Sequence, residues 1–107
     1  MATKQSTVDF ITDQLSSLEN IRARKMFGEY ALYYEDKVVA LICDDNLFVK
    51  ITEAGKDFVA DDYQEGLPYP GAKPSMLING DLIEDRRWLA QLIIITYEHL
   101  PAAKIKK

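Results

Sequence analysis

Residues 21–52, IRARKMFGEYALYYEDKVVALICDDNLFVKIT, decide the fold class of this chain. β-Branched and aromatic residues dominate the segment, and two short polar groups, Glu35-Asp36-Lys37 and Asp44-Asp45-Asn46, are candidates for turns. This pattern predicts a three-stranded antiparallel meander. Its middle strand, Lys37 to Cys43, is apolar on both faces, which is typical of a strand that is covered on two sides. We expect a helix to cover one face of the sheet, and a second helix or a partner subunit to cover the other.

Helical patterns flank the meander. Apolar residues at helical spacing predict a first helix from Thr7 to Leu18, and Thr52 is the expected N-cap of a short helix from Glu53 to Ala60. A last helix is predicted to start at a capping box formed by Asp81 and Glu84 and to end before Pro101. A strand through the β-branched residues 92–96 is the rival interpretation, but the residues on either side favour the helix.

The segment between the second and the last helix predicts a loop and one more strand. Residues 64–74 contain three prolines and two glycines, which disfavour regular structure. Ser75 to Asn79 has the composition of a strand. The sequence therefore predicts an α+β, two-layer fold with the element order α-β(3)-α-β-α, in which helices back an antiparallel sheet.

Size and composition favour one domain that spans residues 1–107, with residues 1–5 and 103–107 expected to be frayed. The hydrophobic fraction of 48% and the charged fraction of 28% are those of an ordinary globular protein. Cys43 is the only cysteine, so the class of secreted, disulfide-stabilised domains is excluded. With no apolar stretch long enough for a signal peptide core or a membrane span, we expect a cytoplasmic protein.

Charge gives the strongest candidate for a binding site. The formal net charge of −4 argues against a protein whose main task is to neutralise nucleic-acid phosphates. Arg22, Arg24 and Lys25 nevertheless form a dense basic cluster, which could bind an acidic partner or a phosphate, together with Tyr30 as an aromatic contact. The alternative interpretation is a solvated strand edge, whose charges prevent unwanted strand pairing. The lysine tail, Lys104, Lys106 and Lys107, is a second basic group.

No pattern in the chain predicts catalysis, a metal or a cofactor. His99 is the only histidine and has no second ligand nearby, so an interaction with the C-terminal end of the last helix is favoured over zinc binding. Cys43 lies at the end of an apolar strand without the motif of a cysteine enzyme, which favours a buried packing role. Gly28 stands alone in a strand pattern and is expected to mark a bulge or a close backbone approach.

The segment Arg24 to Tyr33, RKMFGEYALY, resembles the opening strand of the N-terminal domain of the TfoX/Sxy family of competence regulators. Tyr69-Pro70-Gly71, Ser75-Met76 and a tryptophan-bearing last helix follow in the order found in that family. The resemblance identifies the chain as a single-domain member. It implies a curved antiparallel sheet backed by helices, similar to type III secretion chaperones, with no enzymatic activity and a tendency to self-associate. It also implies regulation of DNA-uptake genes together with the cyclic-AMP receptor protein.

Three functional hypotheses follow. The favoured one is a non-catalytic, homodimeric interaction module with a transcription-regulatory protein as partner. Its interface candidates are Trp88, Ile94 and Ile95, because the apolar arc of the last helix is wider than one sheet contact requires. The second is weak, direct binding of nucleic acid through the basic cluster. The third is a small-molecule site between the curved sheet and the loop from Pro68 to Pro74.

Overall fold

A computed structural model describes residues 3–26 and 28–101 of the chain. Six antiparallel strands form one curved sheet in the order β1-β2-β3-β4-β6-β5, so β1 and β5 are its edges. The α+β fold predicted from the sequence is confirmed. In chain order, the elements are α1 (Gln5–Gln14), β1 (Ile21–Met26), β2 (Glu29–Tyr34), β3 (Lys37–Cys43), β4 (Asn46–Val49), α2 (Glu53–Val59), a 3₁₀ turn (Ala60–Asp62), β5 (Glu65–Gly66), β6 (Ser75–Ile78), α3 (Gly80–Ile83) and α4 (Arg86–His99).

The hydrophobic core lies between one face of the sheet and the helices. Side chains alternate along a strand, so every second residue of β2, β4 and β6 points into this layer. In β3, Val39, Ala40 and Ile42 all belong to it. The apolar side of α4 packs against them and is fully buried. The largest contributors to the core are Ile11, Leu15, Leu32, Val39, Ile42, Leu47, Val49, Met76, Leu89, Leu92 and Ile93, each no more than 1% exposed.

The predicted three-stranded meander is in fact four-stranded. Met26 of β1 pairs with Glu29 of β2, so the chain reverses between them and divides the predicted first strand in two. Gly28 lies in this reversal with φ of 82°, a backbone conformation that glycine adopts at little cost. The expectation of a bulge at Gly28 is therefore wrong, whereas another backbone does approach it, since the Thr3 N–H donates to the Gly28 carbonyl at 3.4 Å. A bulge does occur in this region, but in β3, where the pairing with β2 shifts between Leu32 and Tyr33.

Helix α1 begins at Gln5, two residues before the predicted start, and ends at Gln14 rather than Leu18. Its N-terminus is capped from a distance, because Asp45 Oδ1 accepts hydrogen bonds from the Lys4 N–H at 2.8 Å and the Thr7 hydroxyl at 2.9 Å. These two bonds hold the pKa of Asp45 below its usual value. Fraying was expected through residue 5; within this stretch Thr3 is buried, and its hydroxyl oxygen lies 3.2 Å from the Ile42 carbonyl oxygen.

The C-terminal third contains two elements that the sequence analysis missed. Residues 65–66 form the short strand β5 inside the predicted loop, and residues 80–83 form the separate helix α3. The predicted capping box at Asp81 is wrong: Asn79 caps α3, and Asp85 caps α4 by accepting from the Trp88 N–H at 3.1 Å. The helical interpretation of residues 92–96 is confirmed, as is Thr52 as the N-cap of α2.

Lys37 fixes the end of α4 to the sheet. Its ammonium group donates to the carbonyls of Tyr97 and Leu100, at 2.8 and 2.9 Å, and lies 4.3 Å from the centre of the Tyr97 ring. The last carbonyls of a helix lack partners within the helix, and a cation at this end also favours the helix dipole. One strand residue therefore satisfies two carbonyls at the C-terminal end of the longest helix.

We predict that Lys37→Met lowers the free energy of unfolding by about 1–3 kcal/mol, because hydrogen bonds from a charged donor are lost at half-buried carbonyls. Urea denaturation followed by circular dichroism measures this loss. Lys50→Met is the matched control, since Lys50 is exposed, and its effect should stay within about 0.5 kcal/mol. Equal effects of the two substitutions would contradict the role given to Lys37.

Candidate functional site

The face of the sheet opposite the helices, here called the open face, is the candidate functional site. One row of directly paired residues crosses it through five strands: Arg24, Ala31, Leu41, Phe48 and Leu77. Four of these five side chains are apolar, although no helix packs on this face within the described part of the chain. The open face accounts for the doubly apolar pattern of β3, because half of its side chains point there.

A loop lies over the open face and turns part of it into a groove. Ala72 N–H donates to the Tyr69 carbonyl at 3.0 Å, and Gly71 has φ of 86°. Proline at the second position and a glycine of positive φ at the third are the features of a type II turn. The Tyr69-Pro70-Gly71 sequence therefore forms a tight turn that holds Tyr69 at the edge of the groove.

The groove has two adjacent parts, whose linings share Leu41 and Tyr69. The first is a cavity of about 400 Å³, and the second, of about 700 Å³, lies between the sheet and residues 68–74. We call the two together the sheet groove. The side chains that line the first cavity are Met26, Glu29, Tyr30, Leu41, Cys43 and Tyr69.

Large apolar side chains are exposed around the sheet groove. Leu67 is 56% exposed, Tyr69 53% and Met26 43%, and all three line the groove or the adjoining surface depression. A fourth exposed side chain of this type, Phe10 at 45%, lies on α1, outside the groove. Clustered exposed apolar groups, unlike single ones, are typical of binding surfaces.

The two parts of the sheet groove differ in charge, with a carboxylate in the first and lysines in the second. Glu29 lines the first cavity, and its Oε1 accepts hydrogen bonds from the Thr3 hydroxyl and from the Asp44 N–H at 3.1 Å. Lys50 and Lys73 line the second part. Glu29 was not among the predicted site residues. Its only signal in the sequence was a carboxylate next to a turn glycine in an otherwise apolar strand.

Cys43 lines the first cavity but is only 2% exposed. Burial, and to a smaller extent the negative charge of Glu29, raises the pKa of its thiol to about 11. The thiolate, which is the nucleophilic form, is therefore scarce at neutral pH. These findings agree with the predicted packing role of Cys43.

The predicted basic cluster is divided between the two faces of the sheet. Arg22 and Arg24 lie on the open face, where the Arg22 guanidinium is 4.9 Å from the Tyr33 ring centre and donates to the Glu35 carbonyl at 3.0 Å. Lys25 pairs with Tyr30 and lies on the opposite face. Two of the three basic side chains therefore lie on the same surface, the open face.

Tyr30 belongs to the core more than to a surface. It is 9% exposed, packs in the hydrophobic cluster and donates its hydroxyl to Gln5 Oε1 at 3.0 Å. Only part of it reaches the wall of the first cavity. The structure thus separates Tyr30 from Arg22 and Arg24, with which it was grouped.

The predicted interface residues of α4 are partly used within the chain. Trp88 stacks on Phe58 of α2, with ring centres 5.4 Å apart and planes inclined by 30°. Ile94 and Ile95 are half-buried. His99 is exposed, and its Nδ1 lies 2.9 Å from the Ile95 carbonyl at the end of the same helix.

Three further questions concern metal binding, membrane-spanning helices and the lysine tail. Residues 3–26 and 28–101 contain no cluster of three or more His, Cys, Asp or Glu side chains that could hold a metal ion. None of the helices in these ranges has the length and apolar character needed to cross a bilayer. The lysine tail, Lys104, Lys106 and Lys107, lies outside the residues that the structure describes.

We predict that the native protein reacts slowly with iodoacetamide at neutral pH. A pKa of about 11, against 9.0 for an ordinary thiol, reduces the thiolate fraction about 100-fold, and burial restricts access further. Mass spectrometry of native and urea-unfolded samples over time measures the difference. Glu29→Gln is the control for the smaller, electrostatic contribution and should speed the native reaction only modestly. Equal rates in native and unfolded samples would contradict the prediction.

Comparison with known proteins adds a family relationship to this geometry. Residues 13–100 match the sequence profile described as TfoX N-terminal domain. A protein of Spirochaeta aurantia, named as an uncharacterized 12.7 kDa protein in the trpE 5′ region, is 39% identical over 107 residues, which cover 100% of this chain and 91% of that protein. Protein Sxy of Escherichia coli strain K12 is 25% identical over 83 residues, which cover 78% of this chain and 40% of Sxy.

Proposed function

This chain belongs to the TfoX N-terminal domain family, and from that membership we propose that it is a non-catalytic interaction module of the competence-regulator type. In this proposal it acts in the cytoplasm, through contacts with a transcription-regulatory protein. The similarity to Sxy supports the regulatory class, but it spans 40% of that protein. The contact surface must therefore be argued from the chain itself.

The observation that carries the proposal is the sheet groove with its exposed apolar border. Met26, Leu67 and Tyr69 are each more than 40% exposed. Full burial of a leucine or methionine side chain is favourable by about 1.5–3 kcal/mol, and the exposed side chains forgo this free energy. Aromatic and methionine side chains are also enriched where proteins bind each other. An apolar side chain of a partner that entered the groove would bury both itself and this border.

The groove also favours a second candidate function, the binding of a small molecule. The first cavity, of about 400 Å³, lies within the usual size range of ligand sites and combines mostly apolar walls with one carboxylate, that of Glu29. The Cys43 thiol in its lining is buried and has a raised pKa, so the proposed role is binding without catalysis.

Self-association is a further part of the proposal and is assigned to α4. With Trp88 stacked on Phe58, the half-buried Ile94 and Ile95 are the side chains of this helix that a second copy would cover. Sedimentation equilibrium over a range of concentrations measures it. A monomer at every concentration would remove the homodimer from the proposal and leave the groove unaffected.

We predict that Met26→Ser combined with Tyr69→Ser abolishes capture of the regulatory partner, because the two exposed apolar side chains that line the first cavity are removed. The tagged wild type and the variant are purified from the native host at physiological and high salt, and co-purifying proteins are quantified by mass spectrometry. Phe10→Ser is the matched control, since Phe10 is as exposed as Met26 but lies outside the groove. It should retain the partner.

Two results would count against this prediction. If Phe10→Ser loses the same proteins as the groove variant, the capture depends on general surface hydrophobicity. If neither variant loses a transcription protein that the wild type recovers, the groove is not the contact surface. A metabolite that raises the melting temperature of the wild type, but not of the groove variant, would then favour the small-molecule candidate.

A further inference from the structure

Strand β1 is an edge of the sheet, and among the described residues its only strand partner is β2. All six of its residues, Ile21–Met26, are exposed or half-buried. In the same part of the chain, no backbone hydrogen bond joins the outer side of β1 to another segment. Such an edge presents unpaired N–H and C=O groups to which an extended peptide can add as a further strand. The opposite edge, β5, is two residues long and offers little for pairing.

The β1 edge is positively charged, although the whole chain is acidic. Arg22 and Arg24 stand two positions apart on the open face, and Lys25 lies on the other face of the same strand. Within the described residues, the one salt bridge joins Arg86 to Asp13, so no carboxylate of the structure pairs with these three cations. The edge therefore carries positive charge on both faces that an approaching strand could neutralise.

These charges select the kind of strand that can pair. A second copy that aligned its own β1 with this one would place arginines and lysines opposite or diagonal to each other, which is destabilising. Positive charge on an edge thus prevents pairing between identical chains. It does not oppose a strand that carries carboxylates, because opposite charges in neighbouring strands stabilise the pairing.

We propose that β1 is the docking edge for an acidic, extended segment of a partner protein, which adds to the six-stranded sheet as a further strand. Residues two apart in a strand lie on the same face, about 7 Å from each other. A segment with glutamate or aspartate at alternate positions therefore places carboxylates beside Arg22 and Arg24. The inference rests on the proposed function as an interaction module, and it names the chemistry of the partner segment.

The probe is a capped hexapeptide of alternating glutamate and valine, labelled with a fluorophore at one end. We expect saturable binding by fluorescence anisotropy, and at least about tenfold weaker binding of the lysine-valine peptide. Hydrogen exchange measured by NMR locates the contact. Hydrogen-bonded and non-hydrogen-bonded pairs alternate along an antiparallel ladder. With Met26 and Glu29 as a hydrogen-bonded pair beside the turn, the N–H groups of Ala23 and Lys25 point away from β2, toward the free edge. These two amides should be protected by the peptide.

Backbone methylation separates strand addition from simple charge attraction. In an extended peptide, successive N–H groups point to opposite sides, and only one side can face β1. One probe carries N-methyl groups on its glutamates and another carries them on its valines. We expect one of these two peptides to lose binding at least about tenfold and the other to keep it. Charge attraction alone would treat both alike.

The protein variant that matches this test is Arg22→Glu combined with Arg24→Glu. It should no longer bind the acidic peptide and should bind the lysine-valine peptide instead, because the charge of the edge on the open face is reversed. Arg87→Glu is the control, since Arg87 is an exposed residue of α4, outside the sheet groove and away from β1, and it should bind as the wild type does. Circular dichroism and thermal unfolding establish that both variants are folded.

Three outcomes would overturn the proposal. The first is no saturable binding of the acidic peptide, and the second is an equal effect of the two methylation patterns. The third is tighter binding of an oligothymidine that is lost in the double variant and weakened by salt, which would make the edge a phosphate site. The double variant leaves Met26 and Tyr69 unchanged, so the edge can fail while partner capture through the sheet groove persists.

Discussion

The burial of the helix-facing side of the sheet is the constraint on which the rest of this structure depends. Three fully buried residues of α4, Leu89, Leu92 and Ile93, pack over β3, whose Val39 and Ile42 are equally buried. Each such side chain stabilises the fold by about 1.5–3 kcal/mol. All four helices of the described residues contribute side chains to the core on that side. The other face of β3 is left to a loop, which covers it only in part.

This arrangement explains which parts of the fold could be predicted from the sequence. The strands from residue 29 to 49 and the helical character of residues 86–99 follow from side-chain period and composition. The hairpin at Gly28 was missed, because a single glycine in a continuous run of strand-forming residues is a weak turn signal. β5 and α3 were missed because they are too short to show a period. The start of α1 was wrong because Asp45, remote in sequence, supplies its cap.

The candidate site was predictable to a smaller extent. The apolar pattern on both faces of β3 predicted that a second helix or a partner subunit covers the far face, but in the described residues a loop of the same chain, residues 68–74, lies over part of it. Grouping Lys25 with Arg22 and Arg24 overlooked the period of two, which alone places adjacent strand residues on opposite faces. Glu29 and Tyr69 meet only in the folded chain, one from a strand and one from a turn forty positions later. No local pattern could have joined them.

The loop over the open face has a consequence for the thermodynamics of binding. Pro68, Pro70 and Pro74 each fix one backbone angle, and the turn at Gly71 is closed by a hydrogen bond of 3.0 Å. A wall restricted in this way loses less conformational entropy on complex formation than a glycine- or serine-rich loop of equal length. The shape of the groove is therefore largely preorganised. Selectivity for a ligand would arise from its fit to this existing shape rather than from a rearrangement of the loop.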